Sequence, residues 1–377
     1  SPSRVPSLVP TVMPSETSHP STPAPSKIPT ISPAPTMVYS PPVIVWLSVG
    51  TTHSKTNRVN AASKVTLTSQ VNSTDPDTSY FWNVTSHFTT GHRLTLRYGT
   101  TTATPLTYGR HLVLKAGALR PGEGYIFALT AKNSNGGVGY AFLNVTASVP
   151  PFGGTLHTAP NSGTTLTTYF NLSTANWTQD DTLPLVYAFV YFVGDSTFAH
   201  LRSGSTEAWC RSTLPLGGLE GYQLRVGVVA EDSVGASGSV NLTVVVNPPA
   251  ISSAVGLAAA EIRRIEDKAA SGSATLAALL AQSGATLLNY VLESDDDTAI
   301  ADSSTALDER SNYLETMTTV AQYVDSTEAI ESSAVAMELL TSVAVSTLTS
   351  SDEDNALGAV FMLVNRSIDQ RSVTHQT

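Results

Sequence analysis

From residue 43 to residue 249, apolar side chains recur at every second position or in short unbroken runs, with turn-forming residues between them. The clearest runs are Val43–Val49, Lys64–Val71, Ser79–Val84, Arg93–Tyr98, His111–Leu114, Gly124–Ala131 and Val138–Thr146. A period of two puts alternate side chains on opposite faces of an extended chain, so each run predicts a half-buried strand. A second group follows at Leu166–Leu172, Leu185–Val193, Tyr222–Ala230 and Gly238–Val246. Beyond residue 250 the spacing becomes that of a helix face. Leu314, Met317, Val320, Ala321 and Val324 form one stripe, and Ile330, Leu339, Leu340 and Val343 a second. Leu357, Val360, Phe361, Val364 and Ile368 form a third. Ser351 ahead of Asp352-Glu353-Asp354 predicts a cap and a first turn matched to the helix dipole. The run Asp295-Asp296-Asp297 predicts a loop between helices.

Seven short strands in about 100 residues is the count of an immunoglobulin-like sandwich, and the second group repeats the first. Tyr125 and Tyr222 stand 97 residues apart, as do Asn144 and Asn241. At that offset Phe127, Leu129 and Ala131 fall on Leu224, Val226 and Val228. Each tyrosine follows a leucine (Leu119 or Leu216) by six residues. This is the spacing of a tyrosine corner, whose phenol bonds backbone where the chain crosses between sheets. Pro150-Pro151 and Pro248-Pro249 close the two groups, since proline cannot extend a ladder. Residues 1–42 carry 12 prolines and 14 Ser/Thr, with Pro2, Pro6, Pro10 and Pro14 at a period of four. That density disfavours helix and sheet and favours a polyproline II path. It reads as an O-glycosylated stalk or linker, and it resembles the Pro-Ser repeats of secreted algal wall and surface glycoproteins. The predicted fold is mainly β plus α: two tandem immunoglobulin-like β-sandwiches followed by an α-helical C-terminal region, with an extended polyproline-type N-terminal leader. The domains are a leader (1–42), a first sandwich (43–149), a second sandwich (150–249) and an acidic helical region (250–377).

With 20 Lys+Arg against 30 Asp+Glu the formal charge is −10, which argues against nucleic acid as a partner because no phosphate-neutralising surface is supplied. The charge is uneven: residues 43–150 hold 9 basic and 3 acidic side chains, residues 250–377 hold 6 and 19. Such asymmetry suits docking of the helices on a first sandwich, their own or a neighbour's, and equally a solvated acidic helix face. A single cysteine excludes a disulfide framework or thiolate zinc site within the chain. Cys210 is expected as a buried inert thiol, with an intermolecular disulfide as the alternative. No uninterrupted apolar stretch reaches the roughly 18 residues of a membrane span, so no span is expected. The first residue is not Met and no signal-peptide pattern follows, the mark of a processed chain or a fragment.

N-glycosylation sequons are the strongest chemical signal. They begin at Asn72, Asn83, Asn144, Asn171, Asn176, Asn241 and Asn365, and between residues 43 and 249 they take six of twelve asparagines. On a strand the Asn and the +2 Ser/Thr share the outward face while the residue between them points inward. Chance sequons in a Thr-rich β protein are the competing explanation. Catalytic motifs of the nucleophile-elbow, P-loop, HExxH and dinucleotide-binding kinds do not occur, so no catalytic, cofactor-binding or metal residue is assigned. His87 and His92 lack an acidic partner at ligand spacing. Asp180-Asp181 and Asp75-Pro76-Asp77 have the composition of a carboxylate pair or calcium ligands, but turn chemistry explains them better. Asp352-Glu353-Asp354-Asn355 has Leu357 where a calcium loop needs glycine.

The second module resembles a known family. Pro150-Pro151, Gly153-Gly154, Pro160, Gly163, Thr167, Phe170, Trp177, Asp180, Pro184-Leu185, Tyr187 and Phe189 follow the pattern of the receptor-for-egg-jelly (REJ) module of polycystin-like ectodomains. The likeness covers 150–250 and extends weakly into the helices through Val324–Ile330 and Met337–Leu340. Ala175 stands where family members often carry cysteine. The resemblance implies an extracellular adhesive or ligand-binding ectodomain with no catalytic residues, preceded by an immunoglobulin/fibronectin-III-like sandwich. Its matching residues are scaffold: Trp177 and Phe189 are expected in the sandwich core.

The function expected is that of a non-enzymatic extracellular structural and adhesive glycoprotein module carrying covalent glycans. Its expected partners are other copies of itself or cell-surface and matrix glycoproteins. Val43–Val49 suits strand addition to a neighbour's sheet, which would build a head-to-tail filament. The alternatives are an ectodomain fragment of a polycystin-like receptor sensing force or ligand, and a carbohydrate-binding module using Tyr191, Phe192 and Trp209.

Overall fold

The computed structural model describes residues 39–50, 57–87, 94–105, 109–180, 183–193, 198–218, 220–294, 297–342 and 350–374. Leader residues 1–38, with His92, Arg93, Asp181, Asp295, Asp296 and Val343, lie outside them. The first sandwich has one sheet ordered β1 (Val43–Val49), β3 (Val65–Asn72), β5 (Leu112–Leu114). The facing sheet is ordered β2 (Arg58–Val59), β7 (Val138–Ala147), β6 (Gly124–Lys132), β4 (Ser79–His87). Alternation sets the core: on β6, Tyr125, Phe127, Leu129 and Ala131 are buried and the residues between them only partly. They meet Leu67, Trp82, Leu112 and Leu114 from the other strands, each large side chain contributing about 1.5–3 kcal/mol. The indole of Trp82 donates to the Gly109 carbonyl at 3.2 Å. Tyr125 forms the expected corner, its hydroxyl accepting the Arg120 N–H at 2.9 Å.

The second sandwich repeats this topology. β8 (Thr155–Ala159), β10 (Phe170–Ala175) and β13 (Trp209–Ser212) form one sheet. β12 (Phe198–Ser205), β11 (Val186–Phe192), β14 (Gln223–Glu231), β15 (Ser237–Asn247) and β9 (Ser162–Thr164) form the other, in that order. β2 and β9 occupy the same place, each pairing parallel with the last strand of its sandwich. The repeat register differs from the sequence expectation. Lys132 pairs with Val138, and Glu231 with Ser237, so the hairpins align at an offset of 99, and Phe127, Leu129 and Ala131 match Val226, Val228 and Ala230. A two-residue slip keeps every side chain on its face, so periodicity alone cannot reveal it. Tyr222 therefore precedes β14, at φ +51°, and is not a second corner. Asn144 and Asn241 share a face parity without being equivalent.

Other expectations shift as well. Leu94–Arg97 form no strand and Tyr98 makes only an isolated bridge to Thr102. Leu166 sits in a turn at φ +60°, and the strand begins at Phe170. Phe189 is a core residue, whereas Trp177 is only partly buried and packs at the end of the sandwich. Val43–Val49 lies in its own sheet, paired with β3 from Val43↔Asn72 to Val49↔Leu67 with an irregularity between Ile44 and Trp46.

Five helices follow: α1 (Ile251–Ala270), α2 (Ala274–Leu292), α3 (Asp297–Gln322), α4 (Thr327–Ser342) and α5 (Ser350–Thr374). Asp297 opens α3 rather than closing a loop, and Ser351 lies inside α5. α2 packs against α1, α3 and α4 and buries Ala277, Leu280, Ala281, Leu287, Leu288 and Val291. By length and composition alone α2 is long and apolar enough to cross a membrane, although Gln282, Ser283 and Asn289 interrupt its apolar run; here its apolar surface faces the other helices and the second sandwich. The bundle closes the β12 edge of that sandwich through α2 and α4. Leu279 enters the sandwich core, and Leu166 of the sandwich enters the helical core.

Candidate functional site

Polar contacts concentrate at the joint between the sandwiches, and they include Asp180, expected only as a turn residue. Ser148, fully buried, follows the last strand of the first sandwich. Its hydroxyl accepts from Arg58 Nη2 at 2.8 Å, lies 3.2 Å from Asp180 Oδ1 and donates to Asp232 Oδ2. Arg58 also pairs with Asp180 at 2.5 Å, and Asp180 Oδ2 accepts the Val149 N–H at 3.1 Å. Asn60 Nδ2 donates to the Gly235 carbonyl at 2.5 Å. Asp232 Oδ1 accepts the N–H groups of Val234 and Ala236, which fixes the β14–β15 turn. Asp180, the acidic residue of the family pattern, is therefore a clasp between domains.

The same device recurs one module earlier. Asn133, equivalent to Asp232 at the offset of 99, accepts the Gly137 N–H at 2.6 Å and donates to the carbonyls of Tyr39 and Ser40 at 3.2 and 3.0 Å. In both modules a Pro-Pro pair lies on a glycine of the last strand. A Cβ on Gly139 would lie 2.1 Å from the Pro42 oxygen, and one on Gly238 would lie 1.8 Å from the Pro151 oxygen. Backbone passes where a side chain would stand, so glycine is required. Gly154 likewise leaves room for the Trp177 ring, whose Nε1 donates to Thr174 Oγ1 at 2.7 Å. This joint was missed by sequence reading. Its signal was the pairing of Pro41-Pro42 with Asn133 and Gly139, repeated by Pro150-Pro151 with Asp232 and Gly238.

The seven sequon asparagines (Asn72, Asn83, Asn144, Asn171, Asn176, Asn241 and Asn365) are all exposed. They do not converge; they spread over both sandwiches and α5. Phe81, Tyr140 and Phe142 are also exposed on the first sandwich. Of the aromatics weighed for carbohydrate binding, Tyr191 is 2% exposed and Phe192 lies beneath Arg225, leaving Trp209, 53% exposed and flanked by Arg202. Asp75 is a turn residue: its carboxylate accepts the N–H groups of Asp77 at 3.0 Å and Ser134 at 2.6 Å. The Ser134 bond holds its carboxyl below the usual range. Cys210 is buried in β13, and burial pushes its thiol up to about 11. Among the described residues no three His, Cys, Asp or Glu side chains group as metal ligands would.

The chain is 31% identical to human Polycystin-1 over 156 residues, which is 38% of this chain and 4% of that protein. It thus spans a small fraction of that relative's length. Among solved structures, the chicken CNTN1 FN1–FN3 domains align with 55% of this chain and 69% of theirs, at 14% identity and a TM-score of 0.27. A two-domain fibronectin type III segment of chicken tenascin aligns with 53% of this chain and 98% of its own, at 13% identity and a TM-score of 0.21. The REJ domain family matches residues 36–288, a span that takes in the first sandwich and the first helices as well as the second sandwich. With about two thirds of its length inside that match, the chain belongs to the REJ domain family.

Proposed function

We propose that the chain is an extracellular structural and adhesive glycoprotein module: a stiff pair of sandwiches, sealed at one end by helices, that presents sugar-bearing faces to other surface or matrix glycoproteins or to copies of itself. The observation that carries this reading is the exposure of all seven sequon asparagines, six of them on a two-sandwich scaffold held by the Arg58, Ser148, Asp180 and Asp232 clasp. Membership of the REJ family supports it. Its test is intact-mass and glycopeptide mapping of the protein isolated from its own cells. Sugars on several of the seven asparagines are expected. An intracellular protein with unmodified asparagines would overturn the reading.

In its extended form the module is a protomer of a head-to-tail filament. Because β1 is seated in its own sheet, that assembly uses other surfaces than exchange of Val43–Val49. Native particle size is the measurement, and monomers at all concentrations refute it. The second reading, a piece of a polycystin-like receptor sensing force or ligand, is favoured by the 31% identity to Polycystin-1. Membrane-spanning segments in the same transcript would separate it from the first.

A further inference from the structure

The outward face of the sheet β2-β7-β6-β4 gathers its large apolar groups in one corner. Across β4, β6 and β7, two successive rows read Phe81–Thr130–Tyr140 and Asn83–Ala128–Phe142, and the next ends at Asn144. Phe81, Tyr140 and Phe142 are 48%, 69% and 66% exposed. Tyr140 and Phe142 meet edge to face with centroids 6.3 Å apart. Three aromatic rings left in water on one sheet face mark a surface that something covers.

Two sequons border this corner in the same way. Asn83 follows Phe81 by two residues on β4, and Asn144 follows Phe142 by two residues on β7. Residues i and i+2 of a strand share a face about 7 Å apart, so each asparagine stands beside a ring. We propose that the first N-acetylglucosamine on Asn83 packs on Phe81 and that on Asn144 packs on Phe142, so that the chain's own glycans roof the aromatic corner. A pyranose has one face lined by C–H groups, whose slight positive charge meets the electron-rich face of a phenyl ring. Ala128, between Asn83 and Phe142 in the same row, is small enough to leave space above the sheet.

Other sequons supply the contrast. Two residues before Asn72, Asn176 and Asn241 stand Gln70, Thr174 and Ser239, none with a ring. Asn171 has Tyr169 at that place, but Arg211, paired opposite Asn171, already lies 4.8 Å over the Tyr169 ring.

This inference rests on the glycoprotein reading, and its test separates the two. The full chain is secreted from eukaryotic cells, its glycopeptides are mapped, and amide exchange is followed in β4 and β7. Asn144→Gln is expected to raise local opening about fivefold when Phe142 is present, and less than about twofold beside Phe142→Thr, in keeping with the size of one aromatic contact. Asn83→Gln with Phe81→Thr behaves alike, while Asn241→Gln leaves β4 and β7 unchanged. Trimming the glycans to their first sugar preserves the protection, and complete removal abolishes it. Sugars on Asn83 and Asn144 without this coupling overturn the inference and leave the glycoprotein reading standing, as do sugars confined to other asparagines. Protection that survives complete removal means another occupant, such as leader residues 1–38, and also overturns it. No sugar on any asparagine overturns both.

Discussion

Replacing Ser148 by alanine tests whether the two sandwiches are clasped or merely adjacent. The residue is fully buried, its N–H bonds the Val59 carbonyl at 2.9 Å, and its hydroxyl links Arg58 with Asp232. Ser148→Ala removes one hydroxyl oxygen, so little packing is lost. What disappears is a hydrogen bond donated to the carboxylate of Asp232, itself 4% exposed. A bond to a charged group contributes about 1.5–3 kcal/mol. Arg58 keeps Asp180 at 2.5 Å, and the Asp232 carboxylate keeps its two turn N–H donors. We therefore expect about 2 kcal/mol, or roughly a thirtyfold rise in opening of the joint. Native-state amide exchange reads it directly: residue 148 and Val149 should exchange about thirty times faster, while core amides at Phe127 and Val226 change less than about twofold. Acceleration spread evenly over both cores would show that Ser148 supports general stability instead. No acceleration would show that the polar cluster holds nothing together.

Four further outcomes follow from particular positions. Gly238→Ala places a methyl 1.8 Å from the Pro151 oxygen, so thermal unfolding should show a loss of at least about 1–3 kcal/mol and small-angle scattering a changed angle between sandwiches. Gly256→Ala on α1, with nothing within 4 Å, should gain about 0.5–1 kcal/mol by the same unfolding assay. Tyr125→Phe strands the Arg120 N–H and should cost about 1–2 kcal/mol in denaturant unfolding, whereas Tyr222→Phe stays within about 0.5 kcal/mol. Asp75 has its folded-state pKa lowered below the ordinary 3.8 by the Ser134 N–H. Its stabilising effect is therefore present above 3.8 and fades as pH falls through the depressed value. An acid titration of stability should be less steep in that range for Asp75→Asn.

The strands legible in the sequence are those with clear period-two alternation or an unbroken apolar run, β1, β3, β4, β5, β6, β7, β11, β14 and β15, with the first half of β10. β8, β9, β12 and β13 were not, because runs such as Thr155–Ala159 and Phe198–Ser205 mix Ser, Thr, His and Arg among few apolar residues. α1 and α2 escaped notice because alanine supplies much of their buried surface, as at Ala254, Ala258, Ala277 and Ala281, and its small side chain gives a weak periodic signal. The first tyrosine corner was legible and the second was a false echo, since Tyr222 lies before its strand. The sequons could be read as motifs, and their exposure followed from strand parity. The joint was invisible because its members, Arg58, Ser148, Asp180 and Asp232, lie far apart in sequence and become neighbours only when both sandwiches are complete.

The short parallel pairings of β2 with β7 and of β9 with β15 bear on how tension passes along the chain. In each sandwich the paired segments run the same way, one near where the chain enters and one where it leaves. Traction applied at the two ends drags these strands past each other along their length. The rungs between them must then give way together rather than peel one at a time. A rod built this way resists stretching through the orientation of a few hydrogen bonds, with no disulfide to back them up.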